Sequence, residues 1–489
     1  MRVGPPATNK SDLPSRYLSK WRGLWVSVAA GALMAGPLAA AEGSDDEIMA
    51  LQARLDRLKG QLEALEAGQA AVAKEQTAPA QAVTAGAFPG SWKLPGTDTS
   101  ISFSGFVKVD TFYTVGRPHA SPGGAEGNPG GQPMGDEFTL SSIPVDGSVA
   151  SGQGSDFRMH ARQSRIRFET HTPTDWGLLQ TRIEGDFFFT PGNERFSNSD
   201  LMRIREAWGV LGPVLGGQRQ STFMDADTFT EMVDNFGPAG DSNVRQAQIR
   251  YTHQLRPDVG LDVSIENPET MLATPNPAIR NTNFVDRAPD VIARLRHRAS
   301  WGAINLSGVL RRFEYNDGRG DHDSLWGGGG HVGATANLWG KDTFKFNVNY
   351  GPGLGRYVRT TIGGSPELNV TCATSPTVTF VPGCGADATL NTVFGGWGQF
   401  THWWTSTLHS NLIFGYMHAD VDVARLGAGA NGLNRNIQSA AGNLFWTPVS
   451  RVNIGFEVMH GWRYLARAAP GTQKSGEASR IQLGIQYLF

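Results

Sequence analysis

Arg294, Arg296 and Arg298 stand at alternate positions, so in an extended strand their three guanidinium groups leave the backbone on one face. The same spacing recurs at Arg203 and Arg205 and at Arg165 and Arg167, and Arg250 sits within a similar alternating run. A guanidinium is planar, permanently charged and forked, which suits two-pronged contact with a carboxylate or phosphate. Rows of such groups along a low-dielectric channel concentrate anions and lower their entry barrier.

Each row is flanked by apolar residues of the opposite parity: Val291, Ala293 and Leu295; Met202, Ile204 and Trp208; Ile166 and Phe168; Ala247, Ile249 and Tyr251. If apolar parity marks a lipid face, the arginines line a lumen. Lys108, Arg182, Arg311, Lys345 and Arg480 join them by the same rule, giving 13 inward cations. The inward acids are eight: Asp110, Glu169, Glu184, Asp186, Asp262, Glu266, Asp290 and Glu457. The wall is thus near +5, and the alternative use of these arginines is to pair with the acids and stiffen the wall. Arg158 and Arg162 break parity at the outer end of their strand. Glu206 shares the parity of Ile204 and Trp208, which bare lipid would not accommodate and a bulge or a subunit interface would.

The stretch from Ser221 to Pro238 carries Asp225, Asp227, Glu231 and Asp234. Folded inward, it would constrict the lumen and set acids opposite the arginine wall across a narrow transverse field. An ordinary solvated loop fits the sequence equally well.

Other chemistry is sparse. His409 and Ser410 are neighbours, so in a strand they point to opposite faces and cannot share a proton. There is no Gly-x-Ser-x-Gly elbow and no metal-binding His spacing, so no enzyme activity, metal or cofactor is expected. Cys372 and Cys384 lie in a stretch rich in Gly, Pro, Ser and Thr, where an exported chain would close a surface loop with one disulfide.

The elements that must position these residues are strands. The chain ends on Ile481, Leu483, Ile485, Tyr487 and Phe489, alternating with polar residues and glycine. Candidate strands begin near Ile101, Phe157, Leu178, Asp200, Val214, Val244, Gly260, Pro289, Ala303, Leu325, Asp342, Val393, Thr407, Ile437, Val452 and Glu477, sixteen in all. Short links such as Gly212-Pro213 and Trp339-Gly340-Lys341 alternate with long ones such as 114–155 and 351–392. That asymmetry and an even strand number predict an all-β membrane protein, a 16-stranded antiparallel transmembrane β-barrel over residues 101–489.

Before it, Lys20 and Arg22 precede an apolar stretch from Leu24 to Leu38 and small residues at Ala39-Ala40-Ala41, the pattern of a signal peptide over residues 1–41. Ile48, Leu51, Leu55, Leu58, Leu62, Leu65 and Val72 form a heptad seam interrupted at Gln69, predicting a periplasmic coiled coil over residues 42–75. A linker containing Pro79, Pro89 and Pro95 covers residues 76–100. Apolar residues amount to only 39%, which suits a barrel with a wet interior. Without residues 1–41 the chain carries 38 basic and 44 acidic residues, and nothing in this balance points to nucleic acid.

Asp156-Phe157-Arg158, Gln163-Ser164-Arg165, Thr172-Pro173-Thr174-Asp175, Arg203-Ile204-Arg205-Glu206-Ala207, Gly217-Gln218, Ser221-Thr222-Phe223-Met224-Asp225 and Val244-Arg245-Gln246 resemble the DcaP-like outer-membrane porins. The likeness is densest from Phe157 to Thr252 and continues as strand pattern to Phe489. It implies a homotrimer of sixteen-stranded barrels with a periplasmic coiled-coil extension, taking up dicarboxylates and similar anions, with Arg165, Arg203 and Arg205 inside matching motifs. The expected partners are therefore further copies of the chain, outer-membrane lipid and small anionic solutes. The alternative is a general diffusion porin with weak charge preference.

Overall fold

A computed structural model describes residues 45–76, 84–115, 137–152, 154–188, 201–224, 226–273, 286–316, 322–361, 365–370 and 387–489. The expected signal peptide, Asp225, Cys372 and Cys384 lie outside the described residues. Two units separate at residue 82.

The first unit holds one helix, α1 (Asp45–Gln76). Leu51, Leu55, Leu58, Leu62 and Leu65 are all exposed along it. A leucine seam of this kind is stable only when another surface covers it. No helix among the described residues is long and apolar enough to cross a membrane.

The second unit is a barrel of sixteen strands: β1 (Ser100–Val115), β2 (Asp156–His160 continued by Arg165–Thr174), β3 (Gly177–Asp186), β4 (Arg203–Leu211), β5 (Val214–Gln220), β6 (Arg245–Arg256), β7 (Val259–Glu266) and β8 (Asp290–Ala299). The second half comprises β9 (Gly302–Asn316), β10 (His322–Asn337), β11 (Thr343–Pro352), β12 (Thr392–Trp403), β13 (Leu408–Ala419), β14 (Asn434–Val449), β15 (Val452–Leu465) and β16 (Ser475–Leu488). Every strand pairs antiparallel with its neighbour, and β16 closes on β1 from Phe106 opposite Leu488 to Val115 opposite Ser479. Closure leaves no unpaired edge, which lipid requires. One end carries only short turns of two to five residues, and the other carries the long loops together with one five-residue link, 317–321.

Alternation explains the exterior. On β8, Val291 and Leu295 are exposed while Asp290, Ile292 and Arg294 are buried. Exposed aromatics form two girdles: Trp176, Trp301, Trp339 and Trp404 at the short-turn end, and Phe157, Trp326, Tyr350 and Phe394 toward the long loops. Amphipathic rings prefer the interfacial depth, so the two girdles bracket a hydrocarbon band.

The interior differs from the wet lumen expected from composition. At the long-loop end, Phe138, Leu140 and Ile143 from 137–152, Phe223, Phe236 and Ala239 from 221–244, Leu354, Tyr357 and Val358 from 353–361, and Leu426 and Leu433 from 420–433 pack into one buried apolar cluster. Inward glycines make room for it. A Cβ on Gly415 would lie 2.3 Å from Ala239 O, and one on Gly455 would lie 2.6 Å from Val233 Cγ2. The low apolar fraction reflects these glycines and the polar wall rather than the lack of a core.

Strand β4 also departs from simple alternation. Glu184 lies opposite Glu206, but the next pair is Gly185 with Ile204, so Arg205 is the extra residue of a bulge. The bulge turns both Arg205 and Glu206 inward and reverses parity beyond them. Trp208, expected on the lipid face, is therefore buried in the lumen, where its Nε1 donates to Glu206 Oε2 at 3.0 Å.

Candidate functional site

Segment 221–244 enters the barrel and runs along the wall, tied to successive strands. Ser307 of β9 donates to Phe223 O and Arg294 of β8 donates to Met224 O. Asp227 pairs with Arg298 (Nε to Oδ2, 2.8 Å), and Glu231 N donates to Gln399 Oε1 on β12 at 2.8 Å. Glu231 Oε2 meets His409 Nε2 on β13 at 2.9 Å. Val233 N and Asp234 N donate to Glu457 on β15 at 3.1 and 3.0 Å, Lys108 of β1 donates to Val233 O at 2.6 Å, and Arg480 of β16 reaches Asp234 at 3.3 Å. Gly240, at φ +78°, closes the excursion, and a Cβ there would lie 2.2 Å from Tyr416 O. From Thr222, bound to Gln248 of β6 and Glu266 of β7, the loop thus covers the wall round to β1 and leaves the long-loop half of β2 to β5 and the start of β6 facing open space.

That space is a cavity of about 380 Å³. Arg165, Arg167, Arg205 and Arg245 line one side, with Arg359 from the long loop after β11. Phe229, Met232 and Phe236 of the inward segment line the other. Asp234 and Asp241 of the segment also reach the cavity, but the loop acids pair away from the arginines of β2 to β4: Asp227, Glu231 and Asp234 turn to Arg298, His409 and Arg480. Backbone anchoring decides this, because the strands the loop touches supply donors for its acids.

On the open wall, Arg203 grips Asp186 with Nε and Nη2, both at 2.9 Å. Arg205 spans Glu184 at 3.0 Å and Asp186 at 2.8 Å, Arg167 reaches Glu184 at 2.9 Å, and Arg165 lies 3.5 Å from Glu184. Four arginines share two carboxylates, so the patch keeps a surplus of two positive charges. Arg294 and Arg296 share Asp262, at 2.9 and 2.7 Å. Arg294 is buried beneath the loop rather than beside the cavity, and Arg298, more than half exposed, pairs with Asp227 toward the short turns. Arg250 is buried and donates to Gln248 Oε1 at 2.9 Å and Gln220 O at 2.8 Å.

Three arginines escaped the parity rule, Arg245 and Arg359 beside the cavity and Arg219 against the Trp208 ring. Arg245 shares parity with the outward Ile249 but starts its strand. Arg219 follows Gly216 and Gly217, which give no apolar signal. Arg359 lies on no strand at all. Among the described residues no group of His, Cys, Asp or Glu forms a metal site.

Asp241, at the end of the inward segment, is buried with its carboxylate accepting from Trp397 Nε1 at 3.0 Å. Burial pushes its carboxyl up to about 6, against the pull of Arg359 and of the Trp397 bond. A group raised in the folded state stabilises most below its unfolded pKa, and this contribution fades as pH rises toward 6. Asp241→Asn is therefore expected to remove a fall in stability of ~3 kcal/mol between about pH 4 and 6. Thermal transitions of wild type and variant across that range check it, and parallel curves would refute it.

Residues 89–461 match a family model described as the porin subfamily. Among solved structures, the outer membrane channel DcaP of Acinetobacter baumannii is 21% identical, with a TM-score of 0.64 over 83% of this chain and 100% of that one. OmpT of Vibrio cholerae is 9% identical (TM-score 0.45, 80% and 98% covered), and OmpF of Salmonella typhi is 11% identical (TM-score 0.44, 80% and 98% covered). No curated protein matches the chain.

Proposed function

Because the chain belongs to the porin subfamily, we propose that it is an outer-membrane channel for passive, anion-preferring diffusion of small organic anions such as dicarboxylates. The observation that carries this reading is the unequal wall of the cavity. Four arginines crowd Glu184 and Asp186, Arg245 and Arg359 join them, and of the two loop acids that reach the cavity Asp234 is already paired with Arg480 and Asp241 is buried against Trp397. In a narrow low-dielectric passage that surplus favours anions over cations. The forked guanidinium heads favour carboxylates over simple halides. The channel is read as a homotrimer with α1 in the periplasm, because its exposed leucine seam fits further copies of itself.

The reversal potential of the channel in a planar bilayer under a potassium chloride gradient tests the charge preference. The expected sign is that of a pore more permeable to chloride than to potassium. Equal permeability would leave a general diffusion porin as the better reading. Liposome swelling should then be faster in succinate than in a neutral solute of the same size.

A further inference from the structure

On the outer wall, bulk alternates from strand to strand. Leu412 of β13, Gly442 of β14 and Val458 of β15 stand in register, and one row nearer the long loops stand Gly398 of β12, Phe414, Ala440 and His460. Between them lies a groove of about 600 Å³. Gly398 and Ala440 form its floor, and the exposed side chains of Phe344, Leu412, Phe414 and Val458 form its walls. Of the described residues lining it, His460 alone has a polar side chain, and that ring is engaged by Ser479 Oγ at 2.7 Å and by Trp462. The groove lies between the two aromatic girdles, in the part of the wall that meets hydrocarbon.

The barrel itself does not demand small residues here. A Cβ on Gly398 would touch only the Phe344 ring, at 3.5 Å, and one on Gly442 only Leu412 Cδ2, at 3.6 Å. Both are ordinary contacts, unlike the clash that makes Gly415 necessary on the inner wall. Glycine weakens a strand, so its use where a larger side chain would fit marks close approach by something outside the chain. A polar group points the same way. Gln438, two residues from Ala440 toward the long loops, faces lipid between Tyr416 and Trp462, and its amide has no hydrogen-bond partner among the described residues. At the depth of the aromatic girdle an unpaired amide is costly, and an outside partner with both a carbonyl and a hydroxyl would satisfy it.

A second barrel is a poorer occupant than lipid. Thr170 and Thr181, bonded at 2.7 Å, and Gln218 face outward on β2 to β5, a polar surface that suits another copy of the chain better than hydrocarbon does. That face and β13 lie on opposite sides of a sixteen-stranded barrel, so one symmetry axis cannot serve both. We infer that the groove on β11 to β15 binds one acyl chain of an outer-leaflet lipopolysaccharide. The long-loop end of such a barrel faces outside, and there the leaflet is built from that lipid. Its hydroxyacyl chains carry a linkage carbonyl, which accepts from the Gln438 amide, and a nearby hydroxyl, which donates to the Gln438 oxygen. A phospholipid chain has the carbonyl without the hydroxyl. The site is independent of the ion preference of the lumen.

Lipid A titrated onto the purified protein in detergent, with bound molecules counted by native mass spectrometry, tests the site. The wild type is expected to saturate at one tightly held lipid A per chain and to hold phosphatidylethanolamine several-fold more weakly. Ala440→Leu and Gly398→Leu, which fill the groove, should each weaken lipid A binding about tenfold. Gln438→Leu should weaken it about fivefold, the loss of roughly one hydrogen bond. Ala293→Leu, on the lipid face of β8, should leave it unchanged. All four side chains point outward, so wild-type conductance is expected in every variant and reports an intact barrel. Unchanged binding in both groove-filling variants overturns the site, as does equal weakening by Ala293→Leu. Phosphatidylethanolamine held as tightly as lipid A, or unchanged binding in Gln438→Leu, overturns the choice of lipid. Loss of the oligomer in Ala440→Leu with lipid A still bound gives the groove to another copy of the chain and overturns the proposal as well.

Discussion

Replacing Glu457 by alanine is expected to release the inward segment and raise single-channel conductance several-fold. Glu457 is fully buried on β15 and accepts the amides of Val233 and Asp234 and the side chain of Asn443, the last at 2.9 Å. It takes two backbone amides in the middle of the segment, whereas Glu266 on β7 takes only that of Thr222 at its start. Removal of Glu457 orphans two buried N–H groups, at roughly 1–3 kcal/mol each. Val233 sits in a recess shaped by Gly455 and Gly484, so the amides have no second acceptor to move toward without vacating it. Lys108 to Val233 O and Arg480 to Asp234 are the other ties at this point, and those at Phe223, Met224, Asp227 and Glu231 lie toward the start of the segment, so its middle is left to move. With the loop off the wall, the passage widens and its charge preference falls toward that of the bare lumen. Conductance of Glu457→Ala at the wild-type value, in a barrel of wild-type heat resistance, would show that the other anchors suffice. Glu457→Gln, which keeps one acceptor oxygen, should lie between the two.

Strand positions were legible because lipid enforces a strict period of two. All sixteen expected starts fall within three residues of the observed ones, and the short and long connections occupy the expected ends. The reading failed where backbone geometry, not side-chain type, decides the face. The bulge at Arg205 inverted Trp208, and the break between His160 and Arg165 in β2 left no trace in the apolar pattern. Loop segments carry no parity at all. The acids of 226–236 were visible, but the direction they turn depends on His409, Gln399 and Arg480, distant in sequence. For the same reason the arginine rows on β2 and β4 could be read, whereas Arg359 could not. Arg294 was read correctly as inward, yet only the loop above it reveals that it is sealed from the cavity.

Arg311→Met is expected to unfasten the outer loops while leaving the barrel intact. The guanidinium of Arg311, 1% exposed, pairs with Asp290 at 3.1 Å and with Glu367, and donates to Gly353 O and Glu269 O, both at 2.7 Å. One side chain on β9 therefore joins β8, segment 267–273 and the loop after β11. Tyr357 OH adds a bond to Asp290 at 2.8 Å, and Glu367 also accepts the amides of Arg356 and Met271. Methionine fills similar space but leaves two buried carboxylates without their cation, a loss of about 3–5 kcal/mol. Only the loops can relieve it, because Glu367 belongs to the short three-stranded cap of Leu272–Ala273, Leu368–Val370 and Ala388–Leu390, whereas Asp290 is fixed in the barrel ladder. Amide exchange at 365–370 should accelerate by orders of magnitude with barrel strands unaffected, and wild-type protection there would refute the account. Adding Asp290→Asn and Glu367→Gln to the variant removes the stranded charges, so protection should partly return. Without that recovery, the loss would have to come from packing against Phe313 and Tyr357, over whose rings Arg311 lies at 4.6 and 5.4 Å.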